Sequence, residues 1–435
     1  MAHFEEGTSM DKERRRIERK YAGLMREEPR LGKVVSYVCN KDAPMLRLYR
    51  FKEAFALELV TEFIRRFGLS SEDYVFDPFA GMGTTLFGAM LRDIRSIGVD
   101  RLPVAAFVAR CLPRMVFLAP GELKEALGVL KQRLSHVDPA PIALDVRIMK
   151  DAFDEGTLFR LRKWKAAIET LTGRVREAFM VLLLSTLEET SYTSKDGQFL
   201  RLKRERNASH PDDAIERKVA QTEEDITRVR WLFPSWNGSK SLLPEVVQGD
   251  ARDLSDVPFR GAPSAIITSP PYANRYDYTR TYCLELCFNF IRDFGELRDL
   301  RSAMLRSHIE SKTGNDDVPS HPVVSEVLQA LKGKKLNNPK IPDMLAGYFV
   351  DMELAVKEWG RVLAPGARVA MVVDNVRFEG ELVPVDLILS EMAEGYGFSV
   401  EEVIIARYKG NSSQQMRKYG RVPVRESVVI WEKRP

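Results

Sequence analysis

Histidine and cysteine are scarce in this chain: 5 and 4 among 435 residues. With so few imidazoles and no Cys-x-x-Cys spacing, a dedicated metal site is not expected. Cys39, Cys111, Cys283 and Cys287 are scattered, which reads as reduced core thiols in a cytoplasmic protein rather than a disulfide framework. Cys283 and Cys287 stand at i, i+4, on one helix face. No apolar run is long enough to span a bilayer. Met1 to Arg19 is charged throughout, unlike a signal peptide or a membrane anchor. Neither charge sign dominates, with 66 Lys+Arg against 62 Asp+Glu, so positive charge bears on partners only where it is clustered. Internal repeats and low-complexity tracts are absent too. What is left is a soluble globular composition, 44% hydrophobic and 29% charged. Its length fits one large domain with insertions, or two to three domains.

Against these absences, one stretch stands out: Ile266-Ile267-Thr268-Ser269-Pro270-Pro271-Tyr272. The β-branched pair reads as the end of a buried strand. Each proline lacks an N–H, fixes its own φ and pushes the preceding residue out of helical geometry. A stiff, extended hook at the carboxyl end of a strand follows, the position where open α/β sheets place ligands. Free carbonyl acceptors beside an aromatic ring are suited to holding a planar ring by its exocyclic amino group. An ordinary strand-terminating turn is the plainer alternative for a bare Pro-Pro pair.

Upstream, Phe51, Phe55, Leu59 and Phe63 recur every four residues and predict an amphipathic helix within Tyr49 to Phe67. A short strand, Asp73 to Phe76, runs into Asp77-Pro78-Phe79-Ala80-Gly81-Met82-Gly83-Thr84-Thr85 and a helix over Leu86 to Arg92. The glycines allow a tight turn and close backbone approach by a ligand, and the helix N-terminus offers free N–H groups. A second strand, Ser96 to Val99, ends in Asp100, where a doubly wound fold places an acid on a ribose. A dinucleotide site is disfavoured because Gly-x-Gly-x-x-Gly is absent, and a Walker loop is excluded because no Gly-Lys-Ser/Thr follows. Later, Val246 to Gln248 predicts a strand ending in Gly249-Asp250, and the hook comes directly after it. Asp250 reads also as a helix N-cap ahead of Asp253 and Leu254.

In this order, Asp-Pro-Phe-x-Gly-x-Gly-Thr-Thr, the acid after the next strand, Gly-Asp and Ser-Pro-Pro-Tyr resemble the S-adenosylmethionine-dependent DNA amino-methyltransferases. The resemblance covers about half the chain and leaves out two insertions. It implies an α/β, Rossmann-like seven-stranded sheet with a large, mainly helical insertion and a smaller one. It implies S-adenosylmethionine as cofactor, held by Asp77, Pro78, Phe79, Gly81, Gly83, Thr84, Thr85 and Asp100, with Asp250 accepting from the adenine amino group. It implies double-stranded DNA as partner, with the target base flipped out, and leaves room for a cognate restriction endonuclease at the same site. Ser269, Pro270, Pro271 and Tyr272 become the catalytic residues. In that family Ser-Pro-Pro-Tyr is more typical of cytosine-N4 enzymes, whereas adenine-N6 enzymes more often carry Asp or Asn first. An adenine-N6 enzyme, an RNA base amino-methyltransferase and a non-catalytic cofactor- or DNA-binding subunit stay open as alternatives. A protein-glutamine methyltransferase, which resembles Asn-Pro-Pro-Tyr at the hook, fits less well.

The remaining chain is divided around this frame. Residues 1–48 predict a basic arm, solvated or touching phosphates. Residues 49–115 are the first half of the methyltransferase domain and 116–244 the helical insertion. Within that insertion Tyr192, Lys195, Phe199, Arg201, Lys203, Arg204 and Arg206 interleave aromatics with cations, a pattern for phosphate contact and base stacking. A solvated basic edge is the competing reading. Trp231 and Trp236 are expected in a core. Residues 245–294 carry the hook, followed by Arg275, Tyr276, Tyr278 and Arg280, an aromatic-arginine run expected at the substrate rather than in the core. Residues 295–345 predict a second insertion with loop in its middle. Residues 346–435 end the domain with the helix Ala346 to Leu363, the strand Arg368 to Val373, the helix Val385 to Gly395 and an antiparallel pair, Val400 to Tyr408 with Ser427 to Trp431. The polar, basic connection Lys409 to Arg421 is expected over the substrate cleft.

Overall fold

The computed structural model describes residues 11–197, 199–234, 236, 238–311, 320–410, 420 and 422–435. Their strands, in chain order, are β1 (Met25–Glu27), β2 (Tyr74–Asp77), β3 (Arg95–Asp100), β4 (Thr193–Ser194), β5 (Arg201–Leu202), β6 (Glu245–Gln248), β7 (Ala265–Thr268), β8 (Arg368–Asp374), β9 (Val376–Phe378), β10 (Glu381–Val383), β11 (Phe398–Lys409) and β12 (Val424–Lys433). The chain forms two compact units. One, the hook unit, takes Met1–Val35, Gly249–Tyr276 and Ala303–Pro435; the other, the turn unit, takes Ser36–Gln248 and Asp277–Ser302.

In the hook unit the strand order is β1-β11-β12-β8-β7. Strands β7 and β8 are parallel, β12 is antiparallel to both β8 and β11, and β1 lies parallel to β11. All four residues of β7 and five of the seven in β8 are buried, as near-continuous Val/Ile/Ala/Met runs covered on both faces should be. The helix Ile341–Val362 begins with Pro342 in its first turn and buries Phe349, Met352, Val356 and Trp359, the stripe its 3.6-residue period dictates. In the turn unit β2, β3 and β6 are all parallel, in that order. The helix Leu57–Phe67 ends at Gly68, whose left-handed φ of +64° closes it. The helices Glu122–Arg133, Glu155–Glu169, Gly173–Thr186 and Pro211–Leu232 are the longer ones of the insertion, with Trp164 fully buried and its indole N–H donating to Asp212 at 2.7 Å. The small hairpins β4–β5 and β9–β10 complete the described strands.

The expected α/β, Rossmann-like class is what these units show, closing on the antiparallel pair β11–β12. Five strands in one unit and three in the other exceed the expected seven by one, and the addition is β1. It comes from the segment expected to be a basic arm. From Asp11 on, that segment is folded because its cations have carboxylates to meet: Arg14 reaches Glu326 (3.0 Å) and Glu381 (2.7 Å), and Arg16 reaches Glu391 (2.6 Å). Cations spent in this way are not offered to phosphates. The helix expected from Tyr49 starts only at Leu57; the preceding aromatics pack as loop, Phe51 stacking on Tyr282 at 4.8 Å. The second insertion is more helical than expected, with Phe294–Ala303 and Pro322–Leu331. Most of its predicted loop, 312–319, and most of the connection after Lys409 lie outside the described residues.

Candidate active site

The turn unit carries the candidate cofactor residues. Strand β2 ends at the buried Asp77, whose Oδ1 accepts from the N–H of Phe79 at 3.1 Å. The chain then turns through Gly81 (φ +53°) and Gly83 (φ +85°) into the helix Thr84–Met90. Gly83 is required twice over. Its φ is left-handed, and a Cβ there would stand 2.9 Å from the Cβ of Ala109. Asp100, at the end of β3, accepts from Gly81 N–H and Leu102 N–H, both at 2.8 Å. The acid and the glycine turn are therefore bonded to each other, a link no local pattern announces. Burial pushes the Asp100 carboxyl up to about 7, with Asp77 acting in the same direction against the two backbone donors. Thr85 is buried, and the buried Oγ1 of Thr84 has no partner among the described residues.

The hook unit carries the candidate catalytic residues. Ser269 Oγ donates to the carbonyl of Val372 on the neighbouring strand at 3.2 Å. Because a carbonyl can only accept, a serine hydrogen placed there leaves its lone pairs for a donor; the Tyr272 hydroxyl is a second partner of the same Oγ. Tyr272 is half-buried, and its hydroxyl donates to Glu426 Oε1 at 3.1 Å while Lys409 Nζ lies over its ring at 5.5 Å. Burial, with Glu426 and Asp374 close by, holds the phenol well above its ordinary value, so it stays neutral. Glu426 also pairs with Lys409 and Arg407. Lys409 meets Asp374 Oδ2 at 3.3 Å, and burial pushes that carboxyl up to about 7.

The other expected site residues sort differently. Asp250 is gripped at both oxygens by Arg252, at 2.9 and 2.7 Å, and no helix follows for it to cap. Arg252 reaches on to Asp351 at 2.9 Å. Arg275 adopts a left-handed φ of +69°, rare for a side-chain-bearing residue, and its N–H donates to Ser307 at 3.0 Å. Its half-buried guanidinium meets Asn337 at 3.1 Å, and burial lowers its pKa. Tyr276, expected outside the core, is 8% exposed. In the turn unit, Tyr278 opens the short helix Tyr278–Thr281 and Arg280 is exposed beside Asp277.

Lys195 is a correction. It is only 2% exposed, paired with the buried Glu285 and lying 4.5 Å above the Tyr282 ring. Its ammonium serves a buried ion pair and does not reach for phosphate. Arg201, by contrast, is exposed, 5.5 Å over the half-exposed ring of Phe199. Tyr192 is half-buried, with its hydroxyl 3.5 Å from Asp154. Trp231, expected in a core, is 77% exposed, while Trp236 packs edge-on against Phe117. Sequence reasoning passed over Lys409, Asp374 and Glu426 as a group. The available signals were an acid at a parallel strand's carboxyl end and a lone Glu heading the apolar run Val428 to Trp431.

No family model matches the chain. The chain belongs to the type II methyltransferases. It is 33% identical to the type II methyltransferase M.BsoBI of Geobacillus stearothermophilus, with 97% of this chain and 92% of the relative covered. The same identity relates it to the type II methyltransferase M.AvaI of Nostoc sp. PCC 7120 and of Anabaena variabilis, over 96% of this chain and 92% of each relative. Among solved structures, TrmN from Thermus thermophilus covers 87% of this chain and 48% of its own at 11% identity and a TM-score of 0.28. The rRNA methyltransferase aviRa from Streptomyces viridochromogenes covers 87% and 85% at 14% identity and a TM-score of 0.31. Likenesses of that strength say nothing about this chain's activity. S-adenosylmethionine is the cofactor, and the turn unit fits it: a left-handed glycine turn, a buried hydroxyl on Thr84 unpartnered among the described residues and a carboxyl on Asp100 with lone pairs left for ribose hydroxyls.

Proposed function

We propose that the protein methylates DNA at specific sites, at the exocyclic N4 of cytosine. The observation that carries this reading is Ser269 Oγ directly after β7, bonded to the Val372 carbonyl so that its lone pairs face a donor. An exocyclic amine is a poor nucleophile because its lone pair is delocalised into the ring. Ser269 Oγ and the Pro270 carbonyl would accept from that amine, localise the pair and aim it, so that catalysis rests mainly on positioning. Pro271 stiffens the hook, and Tyr272 stacks on the ring. When bound, S-adenosylmethionine supplies a methyl group on a sulfonium sulfur. Gly81, Gly83, Thr84 and Asp100 would hold it, Asp100 through the ribose, with Asp250 at the adenine amine through whatever acceptor capacity Arg252 leaves.

Reaching a duplex base requires flipping it out, at about a few kcal/mol. Arg275, Tyr278, Arg280 and the Phe199–Arg201 pair are placed in this reading to steady the displaced strand. The type II designation of the relatives supports DNA as the substrate and a cognate restriction endonuclease acting at the same site. Ser269 favours cytosine over adenine by the family resemblance of Ser-Pro-Pro-Tyr. Sequencing DNA from an expressing host, by a method that separates N4-methylcytosine from N6-methyladenine, tests this directly. N4-methylcytosine at a fixed sequence is expected. N6-methyladenine alone would replace the target base, and unmodified DNA beside methylated RNA would overturn the reading.

A further inference from the structure

Glu426 presents an oddity of cost. It lies on β12 in register with Arg407 of β11 on one side and Asp374 of β8 on the other. The strand it belongs to continues as the buried apolar run Val428–Trp431. Its carboxylate is 2% exposed, yet it is fully engaged: Oε1 takes the Tyr272 hydroxyl and Lys409, and Oε2 takes Arg407. Buried ion networks of this kind contribute little net stability compared with apolar residues of similar size, because desolvation offsets the attraction. Stability therefore gives a poor account of why two cations and a carboxylate converge under one tyrosine.

We propose that Glu426 is a positioning residue for the hook. It fixes the Tyr272 ring in one orientation by taking the hydroxyl hydrogen, while Lys409 covers one face of that ring and leaves the opposite face to stack on the target base. The inference rests on the methyl-transfer reading above and deepens it. A phenol has two soft torsions, and a ring free to turn about them would stack on an extruded base only part of the time. Anchoring the far end of the ring to a carboxylate, itself held by Arg407 and Lys409, removes that freedom before substrate arrives. Glu426 reaches the substrate only through Tyr272.

The test uses the full-length protein, tritiated S-adenosylmethionine and unmodified genomic DNA, with Tyr272→Phe, Glu426→Gln and the double variant. Tyr272→Phe keeps the ring and removes the hydroxyl with both its contacts, the anchor to Glu426 and the approach to Ser269. It should lower kcat about tenfold, the scale of one lost positioning contact, with KM for DNA and calorimetric cofactor affinity unchanged. Glu426→Gln keeps an acceptor oxygen for the phenol but loses the charge that Arg407 and Lys409 hold in place, so it should lose no more than Tyr272→Phe, and the double variant no more than Tyr272→Phe alone, because both act through one link. A Tyr272→Phe kcat within twofold of wild type, or losses that multiply, overturns the inference. Should Glu426→Gln fail to fold, Tyr272→Phe decides alone. A wild-type protein that transfers nothing to DNA overturns the underlying reading and this inference with it. That result is distinct from an active wild type with an unaffected Tyr272→Phe variant.

Discussion

The glycine turn and the hook solve the same problem, holding a small flat ligand, by opposite means. At the turn the work is done by backbone: two left-handed glycines, Gly81 and Gly83, and an acid bonded to one of them. Every part lies within 24 residues of chain, from Asp77 to Asp100. At the hook the backbone supplies only the stiff Ser-Pro-Pro-Tyr, and its support comes from Val372, Asp374, Lys409 and Glu426, all far along the chain. A backbone site is set by local sequence and tolerates little change at a glycine. A side-chain site is assembled by the sheet and can be taken apart one hydroxyl at a time.

That contrast can be broken most sharply with Ser269→Ala. Losing the acceptor should cut kcat about 100-fold, within the range for one well-placed catalytic group, while calorimetric cofactor affinity stays at the wild-type value. Wild-type turnover would remove the hook from the chemistry. Gly83→Ala is the mirror experiment. A strained φ and a Cβ 2.9 Å from Ala109 should cost about 1–3 kcal/mol, read as a lower urea midpoint together with weakened cofactor binding. Unchanged values for both would mean that the turn relaxes freely.

Titration sharpens the comparison from the turn side. Free Asp100 titrates at about 7 because of burial, whereas ribose hydroxyls favour its ionised form, so binding lowers that pKa. Below pH 7 binding must therefore expel a proton, and cofactor affinity should fall by up to about tenfold per pH unit. Above pH 7 affinity should level off. Isothermal titration from pH 5.5 to 8.5 checks the slope, and Asp100→Asn should flatten it. The smallest effect on function is expected away from both the turn and the hook. Arg201→Ala should weaken DNA binding a few-fold and reduce the salt slope by about one. Lys195→Met should leave the salt slope alone and instead lower stability, by about 3–5 kcal/mol for a broken buried pair.

The same contrast explains which features were legible in the sequence. Strand, glycine turn, helix, strand and acid could be read because each signal is local and each has a steric or hydrogen-bonding cause. The hook could be read for the same reason. Lys195 was misplaced because a lysine among arginines looks solvated until Glu285, 90 residues away, is brought to it. Tyr276 and Trp231 were exchanged, one buried and one exposed, because an aromatic's burial depends on what packs over it and not on its neighbours in sequence. Glu426 carried almost no signal, since its meaning depends on β11 and β8 lying on either side.

The three-residue strand β1 has a consequence outside catalysis. Strand β11 is twelve residues long and rich in Val, Ile and Ala, and β12 occupies only one of its sides. Bared along the other, it would present a row of N–H and C=O groups able to recruit the same strand of another molecule. Met25–Glu27 covers Val403–Ile405, and Glu28 N–H adds a bond to the Ile405 carbonyl at 2.9 Å. Charged Arg26, Glu27 and Glu28 stand along the edge where a further strand would try to add. A chain trimmed through Glu28 should scatter light at concentrations where the whole protein stays clear. A stretch whose composition suggested an arm for nucleic acid thus lies along the edge of a sheet instead.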